Sequence, residues 1–534
     1  MNRKYFALAS LLVIVALVLA ACGPTPEPLA TEPPAQSEMA NTLVVAENEH
    51  PFTFDPMVGW SEIVRISVIA YDSLVQYKVG TSEIIPWLAK EWEISDDGLT
   101  YTFKLREGVK FHDGTDLTAS DVKFTIDRIQ DINEGIAAQL ATVDSVEAVD
   151  DYTVVIKLTR LTGPFMEYMT QLFILSEDGV KANATDDDPW ARNYLIEHDL
   201  GSGPYMLTAS VLEQQSVFEK FDDYWQGWEG KHVDKIIWLY VKESATQRLM
   251  LESGEIDIAQ DPSWDDLAAL EANPDTQLLA TPCTDGMNAW LRTIHEPLDD
   301  ARVRKALTMA FDCEAHVEAA LGGHGKCAVG PYGSTFPWYN DELEPTPFDL
   351  EGAKALLAEA GYPDGGFTLK MYYQCVHDEE VRFVEMWGAN LAQLGITLDA
   401  ECTDYMGVVD MIVDETSDYD VTIDNRFPNA IDPEAVLEVV YHSKNLGIDD
   451  HQGGWYTNPE VDALFDQGAA ETDPAEREKI YKQIQEIVND DNPAIWAPER
   501  EYIIAARNWV KGYKFTGIHY QALWVYDIWL EGKP

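Results

Sequence analysis

A strand–helix–strand unit in the second half of the chain is the feature that most limits its possible folds. The apolar segments Leu369–Cys375 and Ile396–Cys402 have the composition of buried strands. Between them lies an amphipathic helix that ends at Gly395 and carries on one face Val381, Val384, Trp387, Leu391 and Leu394. Two strands joined by a crossover helix run parallel, and parallel sheets are covered by helices on both faces. The unit therefore predicts an α/β fold.

The same alternation of strands and helices continues along the chain. Leu43–Ala46 and Tyr101–Leu105 are predicted strands, while Thr118 and Asp349 are predicted to open helices. Asp473-Pro474-Ala475-Glu476 combines a capping-box pattern with proline at the first helical position and predicts a further helix. At roughly 150 residues per domain, 534 residues favour two to four domains, here α/β lobes.

The N-terminus carries a signal for export. Arg3 and Lys4 precede an apolar run from Phe6 to Leu19, which is the layout of a secretory signal peptide over residues 1–21. The segment Leu19-Ala20-Ala21-Cys22 also resembles a bacterial lipobox, in which Cys22 becomes the lipid-modified first residue. The alternative is an ordinary signal peptide followed by a chance cysteine.

The next segment, residues 22–40, has the composition of a linker. Its last 18 residues contain five prolines and show no apolar periodicity, which is typical of an extended spacer. No later segment approaches the length of apolar sequence that spans a bilayer. We therefore expect an exported lipoprotein, anchored only through its N-terminal lipid on the outer side of the cytoplasmic membrane, in the periplasmic space.

The charge of the chain excludes one class of partner. There are 93 Asp and Glu against 37 Lys and Arg, a net charge of −56. Removing the signal peptide takes away Arg3 and Lys4 and no acid, which leaves 35 basic residues and a charge of −58. Nucleic acid is excluded as a partner because its binding needs clustered cations, and adsorption to anionic membranes is disfavoured. The excess acid is spread along the chain and indicates a solvated exterior.

Five cysteines remain after Cys22, and none has a Cys-x-x-Cys or zinc-ligand spacing. Cys375 and Cys402 each lie six residues into one of the two predicted parallel strands, so the shared register predicts a disulfide between them. Cys313–Cys327 is the second predicted pair, so Cys283 has no predicted disulfide partner. The alternative is five free thiols.

The sequence contains no recognisable catalytic constellation. Gly-x-Ser-x-Gly, His-Glu-x-x-His and phosphate-loop motifs are absent, and the nearest glycine-rich segment, Gly322–Cys327, lacks the phosphate-loop spacing and hydroxyl. Acidic pairs are frequent, but 93 carboxylates make chance pairs inevitable. We therefore predict a binding protein with no catalytic residue, cofactor or metal site, and a secreted hydrolase is the alternative from another class.

Residues 86–128, from Pro86 to Arg128, closely resemble the signature of the family 5 extracellular solute-binding proteins, the peptide/nickel class that feeds ABC transporters. Seven further blocks fit the family in the same order along the chain. They are Tyr71–Val75, Gly201–Tyr205, Tyr224–Trp225, Gly254–Ile258, Leu298–Leu307, Ala353–Asp364 and Asn458–Leu464. Eight ordered blocks make the resemblance specific.

The resemblance implies a periplasmic-binding-protein-like architecture of two α/β lobes with a hinge and an additional inserted domain. Mapped onto this chain, lobe I holds 41–73, 200–283 and 506–534, the inserted domain holds 74–199, and lobe II holds 284–505. The motif-dense stretch 86–128 is then scaffold, and ligand choice lies elsewhere. A solute held between the lobes stabilises the closed form, which a membrane permease recognises.

The resemblance also implies which residues face the solute. On lobe I these are His50, Phe52, Trp60 and Trp264, and Trp290 is expected near the cleft on a crossing segment. On lobe II they belong to one loop and comprise Asp424, Asn425, Arg426, Phe427 and Asn429. For each aromatic residue, ordinary core packing is the alternative. His50 has no partner at metal-ligand spacing, so we do not expect it to bind a metal.

Two departures from the family pattern bear on the ligand. Asn429 stands where peptide-binding members place an aspartate that pairs with the ammonium group of the peptide, unless the loop is gapped and Asp424 takes that place. Arg426 adds a cation suited to a carboxylate or to sugar hydroxyl groups. Arg292 stands where members commonly have asparagine.

We expect a monomeric solute receptor whose partners are a small solute and the permease subunits of an ABC importer. An oligopeptide is the expected solute and an oligosaccharide is the rival, whereas nickel and haem are not expected.

Overall fold

The structure, a computed structural model, describes residues 41–58, 67–79, 81–426, 430–448, 453–514 and 523–534, without the side chains of 283–285 and 424–426. Cys22, Trp60, Phe427 and Asn429 therefore lie outside the described residues, together with the predicted signal peptide and spacer.

Strands and helices alternate throughout the described chain. The strands are β1 (Thr42–Glu47), β2 (Val75–Tyr77), β3 (Ile84–Pro86), β4 (Ala89–Ile94), β5 (Thr100–Leu105), β6 (Val143–Asp150), β7 (Thr153–Leu158), β8 (Tyr205–Val211), β9 (Gln215–Lys220), β10 (Lys235–Tyr240), β11 (Ile258–Ala259), β12 (Thr276–Leu291), β13 (Gly325–Lys326), β14 (Thr368–Gln374), β15 (Thr397–Thr403), β16 (Val421–Arg426), β17 (Ala494–Arg507), β18 (Val510–Lys511) and β19 (Trp529–Leu530). The α-helices are α1 (Ala119–Ile132), α2 (Phe165–Tyr168), α3 (Glu177–Asn183), α4 (Ser244–Ser253), α5 (Leu267–Ala272), α6 (Ala301–Met309), α7 (Cys313–Ala320), α8 (Leu350–Glu359), α9 (Asp378–Gln393), α10 (Tyr405–Val413), α11 (Val439–Tyr441), α12 (Pro459–Ala470) and α13 (Pro474–Asp491).

One large sheet runs through the molecule and sets its architecture. Its strand order is β15-β14-β16-β12-β17-β11-β1-β10-β9-β8, with β13 paired to β17. The two long strands β12 and β17 pair antiparallel from Thr276 opposite Arg507 to Trp290 opposite Ala494. They therefore join the part of the sheet around β1 and β10 to the part around β14 and β15. This is a two-lobed α/β fold, as the sequence predicts.

A separate antiparallel sheet holds the motif-rich part of the chain. Its order is β4-β5-β7-β6, and helix α1 lies close to β6 and β7. Thr118 is the N-cap of α1, and its backbone N–H donates to Asp121 Oδ2 at 2.8 Å. The predicted helix start at Thr118 is therefore confirmed, because a short acidic side chain satisfies a backbone donor that the first turn leaves free.

The predicted strand–helix–strand unit is confirmed as β14, α9 and β15, with the two strands parallel. Its register differs from the prediction by two residues, because Leu369 lies opposite Leu398 and Cys402 lies opposite Tyr373. Cys375 follows the last residue of β14, and from there it bonds to Cys402 with the Cα atoms 5.5 Å apart.

The structure also joins Cys313 to Cys327, whose Cα atoms are 5.9 Å apart. The disulfides are thus the two pairs that the sequence predicts. The second disulfide fixes the start of α7 to the chain just after β13.

Asp72 links several of the motif blocks in the core of the molecule. Its carboxylate is 1% exposed and accepts hydrogen bonds from Trp87 Nε1 at 2.7 Å, Trp225 Nε1 at 3.0 Å and Ser202 Oγ at 3.1 Å. Burial raises the pKa of Asp72 to about 6, while these donors favour its charged form. The blocks that carry the family signature therefore meet at a buried polar centre and act as scaffold.

His112 makes a second link of the same kind. One ring nitrogen contacts Asp199 and the other lies 2.9 Å from the carbonyl oxygen of Gly203. Burial by itself lowers the pKa of His112, but the neighbouring Asp199 carboxylate outweighs it, so that the pKa is raised. The pair ties the segment after β5 to the glycine-rich segment that precedes β8.

Within the described residues, no helix combines the length and the apolar composition needed to cross a bilayer.

We predict that Asp72→Ala destabilises the fold. The change leaves two buried indole N–H donors without an acceptor and should lower the free energy of unfolding by about 2–5 kcal/mol. Urea unfolding followed by tryptophan fluorescence measures this loss. Asp96→Ala, which truncates an exposed acid in the signature block 86–128, is the control and should change stability by less than about 0.5 kcal/mol. Equal stability of the two variants would contradict the role of Asp72.

Candidate ligand-binding cleft

Strands from both parts of the large sheet end beside the two long strands β12 and β17, which join these parts. β1 and β11 are parallel, with Val45 opposite Ile258, and they end at Glu47 and Ala259. On the other side of β12 and β17, β16 ends at Arg426 opposite Gly286. Loops that follow strand ends at such a change of connection are the usual place for ligands in α/β sheets. This region is therefore the candidate cleft.

The pairing of β12 with β17 is irregular at this level. Pro282 lies opposite Glu501 and Gly286 opposite Glu499, so four steps along β12 match two along β17. The ladder shifts again between Gly286 and Asn288. Bulges of this kind bend a strand and redirect its side chains, and they are common next to binding sites.

The wall formed by β1 and β11 is held by backbone contacts. Asn48 N–H donates to Asp261 Oδ2 at 3.2 Å, and Gln260 N–H donates to the carbonyl oxygen of Ala46 at 2.9 Å. The His50 ring packs against Tyr240 with the ring centroids 4.1 Å apart, and burial lowers the pKa of His50. A neutral imidazole is thus favoured at this wall.

The two other described aromatic residues of this wall differ in exposure. Phe52 is 59% exposed, and Trp264 is partly buried in a short 3-10 turn, Trp264–Asp266. The next residue, Asp265, forms an ion pair with Arg382 of α9 at 2.8 Å. This pair connects the β11 side of the cleft to the β14 side. His50, Phe52 and Trp264 thus follow two adjacent strand ends, as expected for residues of one wall.

A polar group that the sequence did not predict lies on β17, where its pairing with β12 is irregular. Glu499 is 7% exposed and accepts hydrogen bonds from Ser334 N–H at 2.7 Å and Ser334 Oγ at 2.5 Å, with Lys326 Nζ at 3.3 Å. His324 Nδ1 lies 2.9 Å from Glu501 Oε2. The sequence signal for this group was the glycine-rich segment around His324, which the phosphate-loop comparison considered only as an incomplete motif. It forms β13, which pairs with β17.

Trp290 lies deeper in the β16 side of the molecule. It is 3% exposed, its ring centroid is 5.9 Å from that of Tyr441, and its Nε1 has no hydrogen-bond partner among the described residues. Trp290 pairs with Ala494, whereas Ala259 at the end of β11 pairs with Ala505. Eleven residues of extended strand separate the two levels, roughly 36 Å. The structure therefore places Trp290 within the core of the β16 side, eleven ladder positions from the end of β11.

The predicted loop of lobe II is described only in part. Asp424, Asn425 and Arg426 form the end of β16, opposite Asn288, Met287 and Gly286, and nothing is described of their side chains. Trp60, Phe427 and Asn429 lie outside the described residues. The ligand roles of all ten predicted residues stay predictions.

Arg292, the second departure from the family pattern, has a structural role. Its side chain is fully buried, and its guanidinium group donates to the carbonyl oxygens of Ser417 at 2.9 Å and Asp414 at 3.3 Å. The group also lies 4.1 Å from the ring centroid of Tyr419. Arg292 therefore holds the 414–419 turn ahead of β16.

The described residues contain no cluster of three or more His, Cys, Asp or Glu that could hold a metal ion. The cleft instead offers backbone groups at strand ends, an exposed aromatic ring and paired carboxylates. Such an arrangement is suited to binding a polar solute between two parts of a sheet, so the fold and the site define a two-lobed binding protein.

Comparison with known proteins identifies the family. The profile of the bacterial extracellular solute-binding proteins, family 5 (middle region), matches residues 83–447. The chain belongs to this family of ABC-transporter solute-binding proteins, whose members bind solutes and are not enzymes.

Individual relatives match over nearly the whole chain. Heme-binding protein A of Haemophilus influenzae is 30% identical over 98% of this chain and 98% of its own length. The dipeptide-binding protein of Escherichia coli is 29% identical over 90% of this chain and 93% of its own length. The Helicobacter pylori periplasmic binding protein DppA, solved in complex with the peptide STSA, matches with a TM-score of 0.78 and 26% identity, over 93% of this chain and 100% of that chain.

We predict that the indole ring of Trp290 stabilises the fold. Trp290→Ala should lower the free energy of unfolding by about 3–5 kcal/mol, because it removes a large buried ring, whereas Trp290→Phe should cost less than about 1.5 kcal/mol. Urea unfolding measures both changes. Trp264→Ala, at a partly exposed position, is the control. A loss in Trp290→Ala no larger than in this control would contradict the packing role.

Proposed function

We propose that the chain is the receptor of an ABC importer and that it captures a short peptide between its two lobes and delivers it to the permease. The observation that carries the proposal is the match along nearly the full chain to a family 5 binding protein solved with a bound peptide. The converging strand ends support it, because exposed backbone groups at strand ends can pair with the backbone of an extended peptide.

We propose the lobes as predicted: 41–73, 200–283 and 506–534 for lobe I, 74–199 for the inserted domain and 284–505 for lobe II. Support comes from the separate four-stranded sheet, whose strands all fall between residues 89 and 158. The irregular pairing of β12 with β17 near residues 282–288 supports a hinge at the boundary between lobes I and II.

We further propose that Cys22 carries the lipid anchor and that residues 23–40 are the spacer. The lipobox-like sequence and the proline-rich segment after it support this. Cys22→Ser should move the exported protein from the membrane fraction to the soluble fraction in cell fractionation. A variant that stays with the membrane would contradict the anchor.

A thermal-shift screen tests the peptide proposal. Di- to pentapeptides should raise the midpoint of unfolding, because a solute that binds only the folded protein stabilises it by mass action. Cello-, xylo- and manno-oligosaccharides form the rival set, and haem is included because one relative bears that name. Stabilisation by an oligosaccharide or by haem, with none by any peptide, would overturn the proposal.

The binding loop gives a sharper test with the tightest peptide. Asn429→Asp should tighten a peptide with a free terminal ammonium group by about 1–3 kcal/mol, since a charge-assisted hydrogen bond replaces a neutral one. The N-acetylated form of the same peptide is the matched control and should gain nothing. Arg426→Ala should weaken binding by about 1–3 kcal/mol. Isothermal titration calorimetry measures each value, and equal gains for both peptide forms would contradict the role of position 429.

A further inference from the structure

Two segments that are far apart in sequence meet at a carboxyl group beside the predicted ligand loop. Glu167 lies on α2, in the region 74–199, and Oε2 of its carboxylate accepts hydrogen bonds from the backbone N–H of Ile431 at 2.6 Å and of Asp432 at 3.0 Å. Residues 431 and 432 come two and three positions after the predicted loop 424–429. The contact therefore connects the predicted inserted domain to the chain that leaves the ligand loop of lobe II.

A second contact between the same two segments lies next to the first. Gly163 N–H donates to Glu434 Oε2 at 3.2 Å, and Arg160 Nη1 lies 3.7 Å from Glu434 Oε1. Gly163 lies so close to the Arg477 side chain that a Cβ atom at this position would stand 2.3 Å from Arg477 Nη2. Only glycine fits at this position without displacing that guanidinium group.

On the lobe II side, Arg477 holds the acids in place. Its guanidinium group donates to both carboxylate oxygens of Asp432, at 2.6 and 2.9 Å, and to Glu434 Oε2 at 3.0 Å. Tyr332 OH donates to the carbonyl oxygen of Ile431 at 2.6 Å. The 431–434 segment is thus rigidly presented, and Glu167 docks on its backbone from the other side.

The charges around Glu167 disfavour its ionised form. The titratable and charged groups that face this contact are Tyr77, Arg160, Tyr168, Tyr332, Asp432, Glu434, Glu438, Lys444, Arg477 and Tyr481. Burial and then the Asp432 charge raise the pKa of Glu167 to about 7, and burial with the Glu438 charge raises the pKa of Glu434 to about 7. The positive charge of Arg477 offsets part of the negative charge around Glu167. Its guanidinium group, however, bonds directly to Asp432 and Glu434.

We propose that Glu167 is a proton-sensitive latch that positions the ligand loop. When the lobes are closed, Glu167 holds the chain after this loop against α2, and protonation of its carboxyl group strengthens closure. The inference rests on the proposed function, because closure captures the solute. When the lobes part, Glu167 meets water and regains the ordinary pKa of a glutamate, about 4.3. Closing therefore takes up a proton between pH 4.3 and 7. Closure is favoured below this window and weakens as the pH rises through 7.

Hydrogen exchange measures the latch without any solute. In the full-length mature chain, corrected protection of the amides of residues 430–438 should be higher at pH 5.5 than at pH 8. Glu167→Ala removes the acceptor and should lower protection at both pH values. Glu167→Gln keeps an acceptor oxygen without the charge, so it should keep high protection at pH 8 as well. Glu197→Gln, which neutralises an exposed glutamate outside this contact, should behave as the wild type.

Binding of the tetrapeptide Ser-Thr-Ser-Ala measures the consequence for capture. Wild-type affinity should be about thirtyfold weaker at pH 8 than at pH 5.5, because the pKa of Glu167 in the closed form lies about 1.5 units above the lower pH and each unit corresponds to a factor of ten. Glu167→Gln should reduce this pH dependence and bind at pH 8 nearly as the wild type binds at pH 5.5. Glu167→Ala should bind more weakly at both values.

The outcomes separate the latch from the proposed function. If the peptide does not bind at any pH but the exchange pattern holds, the peptide proposal fails and the latch stands. If Glu167→Ala leaves protection of residues 430–438 unchanged, the latch is overturned. If Glu167→Gln keeps the full wild-type pH dependence of protection, another group, with Glu434 the nearest, is the proton-sensitive one and the assignment to Glu167 is wrong.

Discussion

The antiparallel pairing of β12 with β17 is the interaction on which the rest of the structure depends. The two strands extend past both parts of the large sheet, so every other strand of that sheet is attached to them directly or through neighbouring strands. Their backbone hydrogen bonds cannot be given up in a buried sheet without large cost. We therefore expect relative movement of the two parts to concentrate where the ladder is interrupted, between Pro282 and Asn288. β16 ends at this level, opposite Gly286, and β1 and β11 run toward it from the other part of the sheet, which places the candidate cleft beside the bend.

The residues that identify the family lie apart from those that we predict to face the cleft. Asp72 and His112 tie the signature blocks together through buried hydrogen bonds. Both residues are distant in sequence from the ends of β11 and β16. These blocks hold the fold, and we propose that the loops after the strand ends determine which solute is bound. The acidic exterior fits an exported receptor, and it leaves the charge of the cleft open, since Arg426, Lys326 and Glu499 lie close to one another in strand register.

Two contacts join segments that are distant in sequence. Asp265 pairs with Arg382, and Glu167 binds the amides of Ile431 and Asp432. An exposed ion pair contributes little to closure, because water and salt screen it. The Glu167 contact is partly buried and uses backbone donors, so under the proposed latch its strength depends on the ionisation of one carboxyl group. We therefore expect the first contact to respond to salt and the second to pH.

The sequence by itself determined the fold class, the strand–helix–strand unit, the helix starts at Thr118, Asp349 and Asp473, and the two disulfide pairs. These depend on local periodicity, capping chemistry and cysteine position, all of which are written in short stretches of chain. Only the tertiary structure decided the register of β14 against β15, the burial of Trp290, the scaffold role of Arg292 and the meeting of Glu167 with residues 431 and 432. Each of these depends on which distant segments become neighbours in space, and neither residue type nor spacing along one segment contains that information.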